Sequence, residues 1–131
     1  MRIKIAVDAT PIVSALIGGA SSAIIFDHRL DFVSIEFTFD EVKKYLPLIS
    51  KKSGVSIEEL NYALKLLPIK FYKKDFYKFS VVRAQKIIGK IDAKDVDILS
   101  LSFKENCFLW SEDKHFRNKK EIRLVRTKDL I

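Results

Sequence analysis

Four carboxylates are the residues best suited to chemistry in this chain: Asp8, Glu41, Asp95 and Asp113. Carboxylate oxygens are hard ligands, and they suit Mg²⁺ or Mn²⁺. Carboxylates that converge repel one another and are costly to keep ionised, and a divalent cation removes that cost. A site of this kind can support metal-assisted hydrolysis of a phosphodiester bond. Whether the four form one site depends on the secondary structure that positions them.

The hydrophobic pattern alternates between strand and helix along the whole chain. Strands are predicted over residues 3–7, 31–35, 69–72, 107–110 and 122–125. Helical patterns fill most of the segments between these strands. This alternation predicts an α/β fold with a mainly parallel sheet.

The starts of two predicted helices bear on the carboxylates, and a third helix is predicted between them. Thr38 and Glu41 have the spacing of a capping box, which predicts a helix that begins at Thr38. A long helix is predicted over residues 73–89. Asp92 and Asp95 are expected to open the helix that follows it, since acidic residues suit the first turn of a helix.

This scheme gives the four carboxylates a common location. Asp8 follows the first predicted strand and Asp113 follows the fourth, whereas Glu41 and Asp95 lie in first turns of helices. Ligands of open parallel sheets bind in the crevice at the carboxyl ends of the strands. Each acid also has a purely structural explanation, as a turn residue or a helix cap. Convergence of all four is harder to explain without a bound cation.

The third acidic position is ambiguous from spacing alone. Asp92, Asp95 and Asp97 lie within six residues of one another, and each could supply that carboxylate. Asp40, beside Glu41, is expected to face solvent. His115 follows Asp113 closely enough to be considered as a general acid.

Three segments of the chain resemble the motifs of PIN domains. VDATPIVSALI is similar to the opening motif, an Asp after the first strand followed by an apolar helix, and FTFDEVKKYL resembles the segment with the second acid. The most specific segment is IDAKDVDILSLSFKENCFLWSEDKHF, which resembles the later motifs and ends in Trp-Ser-x-Asp-x-x-Phe. The resemblance spans nearly the whole chain. One departure is that Ser100 and Ser102 stand where the family usually has small residues such as Ala.

The resemblance implies roles for individual residues. Asp8, Glu41, Asp95 and Asp113 match the metal-binding acids of the family, with Asp95 in the third position because the apolar helix runs in the family register from it. A further set is predicted to support the ligands or to contact the substrate: Thr10, Asp92, Ser111 and Arg83. Among these, Asp92 is also expected to cap the helix.

The resemblance further implies a fold and an activity. It predicts a single domain over residues 1–131, built as a three-layer α/β/α structure around a mainly parallel five-stranded sheet. It implies an endoribonuclease that depends on Mg²⁺ or Mn²⁺. Many small members are VapC-like toxins that pair with an antitoxin protein and form homodimers. The alternative is a catalytically inactive PIN module that binds RNA or a protein partner.

The composition is consistent with these expectations. Lys and Arg number 24 against 17 Asp and Glu, and the net charge of +7 favours a polyanionic partner such as RNA. One cysteine and two histidines argue against a zinc site or a catalytic thiol. The chain contains no apolar stretch long enough to span a bilayer, which predicts a cytoplasmic protein. The aromatic residues of KFYKKDFYKF, residues 70–79, could stack on RNA, but a place in the core is favoured.

Overall fold

A computed structural model of the protein describes residues 2–89 and 92–131. Five strands and eight helices alternate along the described chain. The strands are β1 (Ile3–Val7), β2 (Leu30–Ile35), β3 (Ile69–Tyr72), β4 (Phe108–Trp110) and β5 (Leu124–Val125). The helices are α1 (Ala9–Leu16), α2 (Ala20–Ile25), α3 (Glu36–Ser53), α4 (Ile57–Leu66), α5 (Lys74–Tyr77), α6 (Val81–Ile88), α7 (Ala93–Lys104) and α8 (Thr127–Leu130). Short 3₁₀ turns are formed by Lys78–Ser80 and Lys114–Phe116.

The five strands form one sheet in the order β3-β2-β1-β4-β5, and every neighbouring pair is parallel. The predicted five-stranded parallel sheet is therefore confirmed. The strand order changes direction at β1, which has β2 on one side and β4 on the other. In open parallel sheets this switch point, at the carboxyl ends of the strands, is where ligands bind.

Two hydrophobic layers cover the sheet, as a three-layer α/β/α structure requires. Side chains from successive strand residues point to opposite faces. Ile5, Val7 and Trp110 belong to the layer formed with α1 to α4, whereas Ala6 and Leu109 pack with α6 and α7 in the other. Burial on both faces explains why the strands read as continuous apolar runs.

The start of α3 differs from its prediction. Glu36 begins the helix directly after β2, and Thr38 lies buried within the first turn, with only 3% of its surface exposed. Thr38 shares a buried face with Val42 and Leu46, so its packing against the core decides its position. The predicted capping box of Thr38 and Glu41 is wrong, and Glu41 lies in the second turn of the helix.

The long helix predicted over residues 73–89 is interrupted. It is divided into α5, a 3₁₀ turn and α6. Phe79 and Ser80, in the 3₁₀ turn at the break, have lower helix propensity than lysine or alanine. Gly89 ends α6 with a φ of +80°, a backbone conformation that glycine adopts without strain.

The aromatic residues of segment 70–79 mostly belong to the protein interior. Tyr77 is 2% exposed, and the rings of Tyr72 and Phe76 stack with centroids 4.0 Å apart. Phe79 is the exception, with 90% of its surface exposed. Among residues 2–89 and 92–131, no helix is both long and apolar enough to cross a membrane.

Candidate active site

Asp8 and Asp113 lie close together because β1 and β4 are neighbours in the sheet. Val7 at the end of β1 pairs with Trp110 at the end of β4. The backbone N–H of Asp8 donates to the carbonyl of Trp110 at 3.0 Å. Both carboxylates therefore follow strand ends at the switch point, where the sequence predicted them.

Ser111 connects these two carboxylates. Its hydroxyl donates to Oδ2 of Asp8 at 2.8 Å and accepts the backbone N–H of Asp113 at 3.0 Å. The other oxygen of Asp8, Oδ1, accepts the backbone N–H of Ala9 at 2.8 Å. Ser111 is only 1% exposed, so its hydroxyl has little freedom. These bonds hold the Asp8 side chain in a single orientation.

Asp95 reaches the same location from the first turn of α7. It is 6% exposed, and its Oδ2 lies 2.5 Å from Nδ1 of His115. The same imidazole nitrogen lies 3.4 Å from Oδ1 of Asp113. Potential ligand atoms of Asp95, Asp113 and His115 all lie within 4.8 Å of one another. One ion at about 2.0–2.6 Å from each ligand spans such separations.

Glu41 lies near these acids on a different element, α3. It projects from α3 and forms an ion pair with Lys94, the residue that precedes Asp95. Its negative charge contributes to the electrostatics of Asp8. α3 and α7 thus bring Glu41 and Asp95 to the same end of the sheet, and the ammonium of Lys94 pairs with Glu41.

The acidic site is electrostatically unfavourable without a cation. Burial raises the pKa of the Asp8 carboxyl, and the charges of Asp113 and Glu41 raise it further, although hydrogen bonds from Ser111 and Ala9 lower it. Burial likewise raises the pKa of Asp95 to about 6, with the charge of Asp113 adding to the effect. Ionising both groups in this enclosed location therefore costs free energy, which a bound cation would offset.

Two cationic groups partly compensate the acids. The hydrogen bond to Asp95 raises the pKa of His115, and the charge of Asp113 acts in the same direction. The hydrogen bond to Glu41 raises the pKa of Lys94. Each cation sits against a carboxylate that was predicted as a metal ligand. Metal binding at these oxygens would compete with the contacts of both residues.

The donor set fits Mg²⁺ or Mn²⁺. Carboxylate oxygens of Asp95 and Asp113 and an imidazole nitrogen of His115 have the spacing of ligands to one ion. The carboxylate of Asp8 lies close enough for the charges of Asp113 and Glu41 to act on it. Hard oxygen donors match both ions, and an imidazole is an acceptable ligand for Mn²⁺. Cys107, the one cysteine, is buried, and burial raises its thiol pKa to about 11, so it offers no thiolate ligand.

The remaining acidic candidates have different positions. Asp92 caps α7, where its Oδ1 accepts the backbone N–H of Lys94 at 2.9 Å. Asp97 is buried but turned away from the site, because two residues along a helix correspond to a rotation of about 200°. Its carboxylate accepts the Tyr77 hydroxyl at 2.9 Å. Of the three alternatives for the third position, Asp95 is the one that meets Asp113.

The other two supporting candidates are Thr10 and Arg83. Thr10 is exposed in the first turn of α1, two residues after Asp8. Arg83 places its guanidinium 4.0 Å over the ring of Phe103. Phe103 lies eight residues beyond Asp95, about 12 Å along the axis of α7. Arg83 therefore lies away from the carboxylates, and its role as a substrate contact stays a prediction.

Two cavities flank the carboxylates and share Asp92. The first, of about 330 Å³, includes the basic residues Lys114, Arg117 and Lys119 together with Asp95 and His115. We call it the basic cavity. Its cations belong to the segment KHFRNKK, which directly follows Asp113.

The second cavity is larger, about 700 Å³, and lies along α3. It is lined by Phe37, Asp40, Glu41, Lys44, Tyr45, Asp92, Ala93 and Lys94. We call it the α3 cleft. Neither cavity was predicted from sequence, nor were the contacts of Lys94 and His115 with the acids. The charge run after Asp113 was the available signal for the basic cavity.

Comparisons with known proteins agree with this architecture. A family model described as PIN domain matches residues 6–127. The chain is similar in structure to VapBC2 from Rickettsia felis, solved bound to a DNA fragment from its promoter. That match has a TM-score of 0.66 and 12% sequence identity, and it covers 95% of this chain and 98% of the other. A comparison with curated proteins found no match.

Proposed function

The chain belongs to the PIN domain family, and from that premise we propose that it is a ribonuclease that uses Mg²⁺ or Mn²⁺ to hydrolyse phosphodiester bonds of RNA. The observation that carries this proposal is the convergence of carboxylates from separate elements at the switch point of the sheet. Asp8 and Asp113 follow β1 and β4, and Asp95 and Glu41 project from α7 and α3. Helix capping alone does not require these acids to lie close together, so capping does not explain their convergence.

Each part of the site has a definite task in this proposal. Asp8, Glu41, Asp95 and Asp113 would hold the metal, and Ser111 keeps Asp8 oriented toward it. When bound, Mg²⁺ or Mn²⁺ supplies Lewis acidity that activates water and stabilises the charge of the leaving oxygen. The protein provides the rigid placement of the ligands and needs no side chain as a nucleophile.

The basic cavity supports a nucleic-acid substrate. The side chains of Lys114, Arg117 and Lys119 line it beside the acids. None of the three has a carboxylate within 4 Å among residues 2–89 and 92–131. Arg117 is held by a hydrogen bond to the carbonyl of Glu112 at 3.1 Å. Cations without acidic partners can contact the phosphates that flank a scissile bond.

We also propose a biological context, in which the protein is the toxin of a toxin–antitoxin pair and forms a homodimer. The structural similarity to VapBC2 supports this context. The antitoxin would cover the crevice and so prevent cleavage. Induced expression should arrest growth for the wild type and not for Asp8→Asn, and light scattering of the purified protein should give the mass of a dimer. Normal growth on expression of a cleavage-competent protein would contradict the toxin assignment.

The activity is tested by incubating the purified protein with a structured RNA in Mg²⁺, in Mn²⁺ and in EDTA. The wild type should cleave in either metal and not in EDTA. The double variant Asp8→Asn, Asp113→Asn should lose cleavage by at least about 100-fold, because two ligands lose their charge.

A matched control is the double variant Asp75→Asn, Glu121→Gln, which removes the same charge from two exposed positions. It should cleave like the wild type. Equal behaviour of wild type and the Asp8, Asp113 variant on several RNAs would overturn the nuclease proposal. The inactive RNA-binding or partner-binding module would then be the better explanation.

A further inference from the structure

Glu112 directly precedes Asp113, but its side chain contacts the C-terminal segment, residues 124–130, which contains β5 and α8. Its Oε2 accepts the backbone N–H of Thr127 at 2.8 Å, and its Oε1 accepts the Nε–H of Arg126 at 3.2 Å. The side chains of Glu112 and Arg126 are each 33% exposed. Both oxygens of this carboxylate therefore bind the C-terminal segment.

The two residues before this glutamate also contact the C-terminal segment. The backbone N–H of Ser111 donates to the carbonyl of Val125 at 3.2 Å. The indole Nε1–H of Trp110 donates to the hydroxyl of Thr127 at 3.1 Å. Three consecutive residues are thus connected to the segment immediately before a candidate metal ligand. We call residues 111–113 the active-site turn.

The backbone pairing that joins the active-site turn to the C-terminal segment is short. β5 is an edge strand of two residues, whereas most strands have three or more. Hydrogen bonds to an ionised carboxylate are stronger than those between neutral groups. The carboxylate of Glu112 therefore supplies the charge-assisted part of a connection whose backbone part is small.

We propose that Glu112 is a positioning residue, whose carboxylate ties the active-site turn to the C-terminal segment and so fixes Ser111 and Asp113. It acts through its two neighbours in the chain and does not itself contact metal or RNA. Ser111 also orients Asp8, so a looser turn would disturb two of the candidate ligands. Partners that orient metal ligands affect the metal affinity of a site without touching the ion. This inference rests on the proposed metal-dependent function and adds a residue to the same site.

The first measurement is hydrogen exchange of individual amides by NMR, without metal or RNA. In Glu112→Ala, the backbone N–H of Thr127 should exchange about 10- to 100-fold faster, because it loses a hydrogen bond to a charged group. The backbone N–H of Asp113 should also exchange faster, because the turn that holds it loosens. The chain has one tryptophan, so the indole N–H of Trp110 gives a single signal, which should shift.

The second measurement is the affinity for Mn²⁺ by calorimetric titration, with kcat/KM for RNA beside it. Glu112→Ala should weaken Mn²⁺ binding by about 10- to 100-fold. Glu112→Gln should lose less, because its amide oxygen can still accept the Thr127 N–H. Arg126→Ala removes the other member of the ion pair, and it should act in the same direction with a smaller effect. This variant also tests the proposal from the C-terminal segment if Glu112→Ala does not fold.

The matched control is Glu105→Ala. Glu105 is also partly buried, and it forms an ion pair with Lys4 at 3.3 Å, three residues before the start of β4. The variant removes a carboxylate and an ion pair at the opposite end of the same strand. It should leave the Mn²⁺ affinity and the exchange of Thr127 unchanged, even where thermal melting shows a loss of stability.

Two outcomes would overturn the positioning role. One is wild-type exchange of Thr127 and Asp113 in Glu112→Ala, and the other is an equal loss of Mn²⁺ affinity in Glu112→Ala and Glu105→Ala. Failure of this proposal and failure of the nuclease are distinguishable, because exchange is measured without metal or RNA. Faster exchange in Glu112→Ala with no cleavage by the wild type would refute only the nuclease. Cleavage by the wild type with unchanged exchange in Glu112→Ala would refute only the positioning role.

Discussion

Asp8 and Asp95 are the two carboxylates of the site whose pKa is raised by burial. Asp8 is fixed by Ser111 and by the backbone of Ala9, whereas Asp95 depends on His115. At the scale of single residues, burial therefore destabilises the ionised carboxylates of the site, and hydrogen bonds offset this cost only in part. The consequences can be measured without a substrate.

The first prediction concerns the stability of the metal-free protein and its dependence on pH. Since the pKa of Asp95 rises from an ordinary 3.8 to about 6, the folded state binds its proton more tightly than the unfolded state does. The free energy of unfolding therefore falls as the pH rises from about 4 through 6. His115, whose pKa is also raised, contributes stability that is present at low pH and is lost as the pH rises through that pKa.

Asp95→Asn removes the ionisation of this carboxyl and should flatten the pH dependence. Between pH 4.5 and 7 in EDTA, the variant should lose less stability than the wild type, by on the order of 1–2 kcal/mol. Urea denaturation at a series of pH values measures the difference. Parallel curves for the two proteins would show that Asp95 does not carry a raised pKa.

The second prediction concerns Ser111. Ser111→Ala removes the donor to Asp8 and the acceptor of the Asp113 backbone N–H, so it should weaken Mn²⁺ binding or cleavage by about 10- to 100-fold. Calorimetric titration with Mn²⁺ and kcat/KM for RNA are the measurements. Ser102→Ala is the control, because Ser102 is also buried but donates to the carbonyl of Leu99. Equal loss of metal affinity in both variants would contradict a role of Ser111 in the site.

At the scale of elements, the position of the site is set by where strands end and helices begin. β1 and β4 stop side by side, which places Asp8 and Asp113 at the same edge. α7 starts immediately beside them, and its cap Asp92 keeps Asp95 in the first turn. α3 begins without a cap directly after β2, so Glu41 reaches the crevice from the second turn.

The third prediction tests how β2 supports the end of β1. The hydroxyl of Ser34, which is fully buried, donates to the carbonyl of Val7 at 2.7 Å, one residue before Asp8. Ser34→Ala should lower the free energy of unfolding by about 1–2 kcal/mol, because a buried hydrogen bond between strands is lost. Chemical denaturation measures this loss.

Ser100→Ala is a useful comparison for Ser34→Ala. Ser100 is also fully buried, but its hydroxyl donates to the carbonyl of Val96 within α7. That carbonyl keeps its backbone partner in the helix, so removal of the hydroxyl should cost less. A Ser34→Ala variant as stable as the wild type would show that this contact does not hold the strands.

At the scale of the whole molecule, a chain with a net positive charge contains an acidic crevice with a basic cavity beside it. The net charge of +7 coexists with carboxylates whose ionisation is unfavourable where they converge. A divalent cation held by these carboxylates, as proposed above, would bind only the folded protein, because the unfolded chain has no comparable site. Metal binding should therefore be linked to global stability.

The fourth prediction is that Mg²⁺ or Mn²⁺ raises the melting temperature. At a free concentration 100 times the Kd, the stabilisation is about 2.7 kcal/mol, which corresponds to a shift on the order of 5–10 °C for a chain of this size. Scanning calorimetry in metal and in EDTA measures it. Asp8→Asn, Asp113→Asn should show no shift, and an equal shift in that variant would place the metal elsewhere.

The sequence by itself determined the strands, their parallel arrangement and the carboxylates at their ends. These features depend on local hydrophobic periodicity and on the order of elements along the chain. Both are determined by residues that are close in sequence. Asp8 and Asp113 were found in this way because each lies within three residues of a strand end, whereas Ser111 was identified through the family resemblance. The motif around Trp110 was the most specific part of the resemblance to the family.

Only the tertiary structure decided which side chains meet across the crevice. The contacts of Lys94 with Glu41 and of His115 with Asp95 join residues 53 and 20 positions apart. The rotation of α7 against the sheet turns Asp97 away from the site and toward the Tyr77 hydroxyl. The guanidinium of Arg83 packs over the ring of Phe103. Helix rotation and packing depend on the shape of the whole core, and no local pattern specifies them.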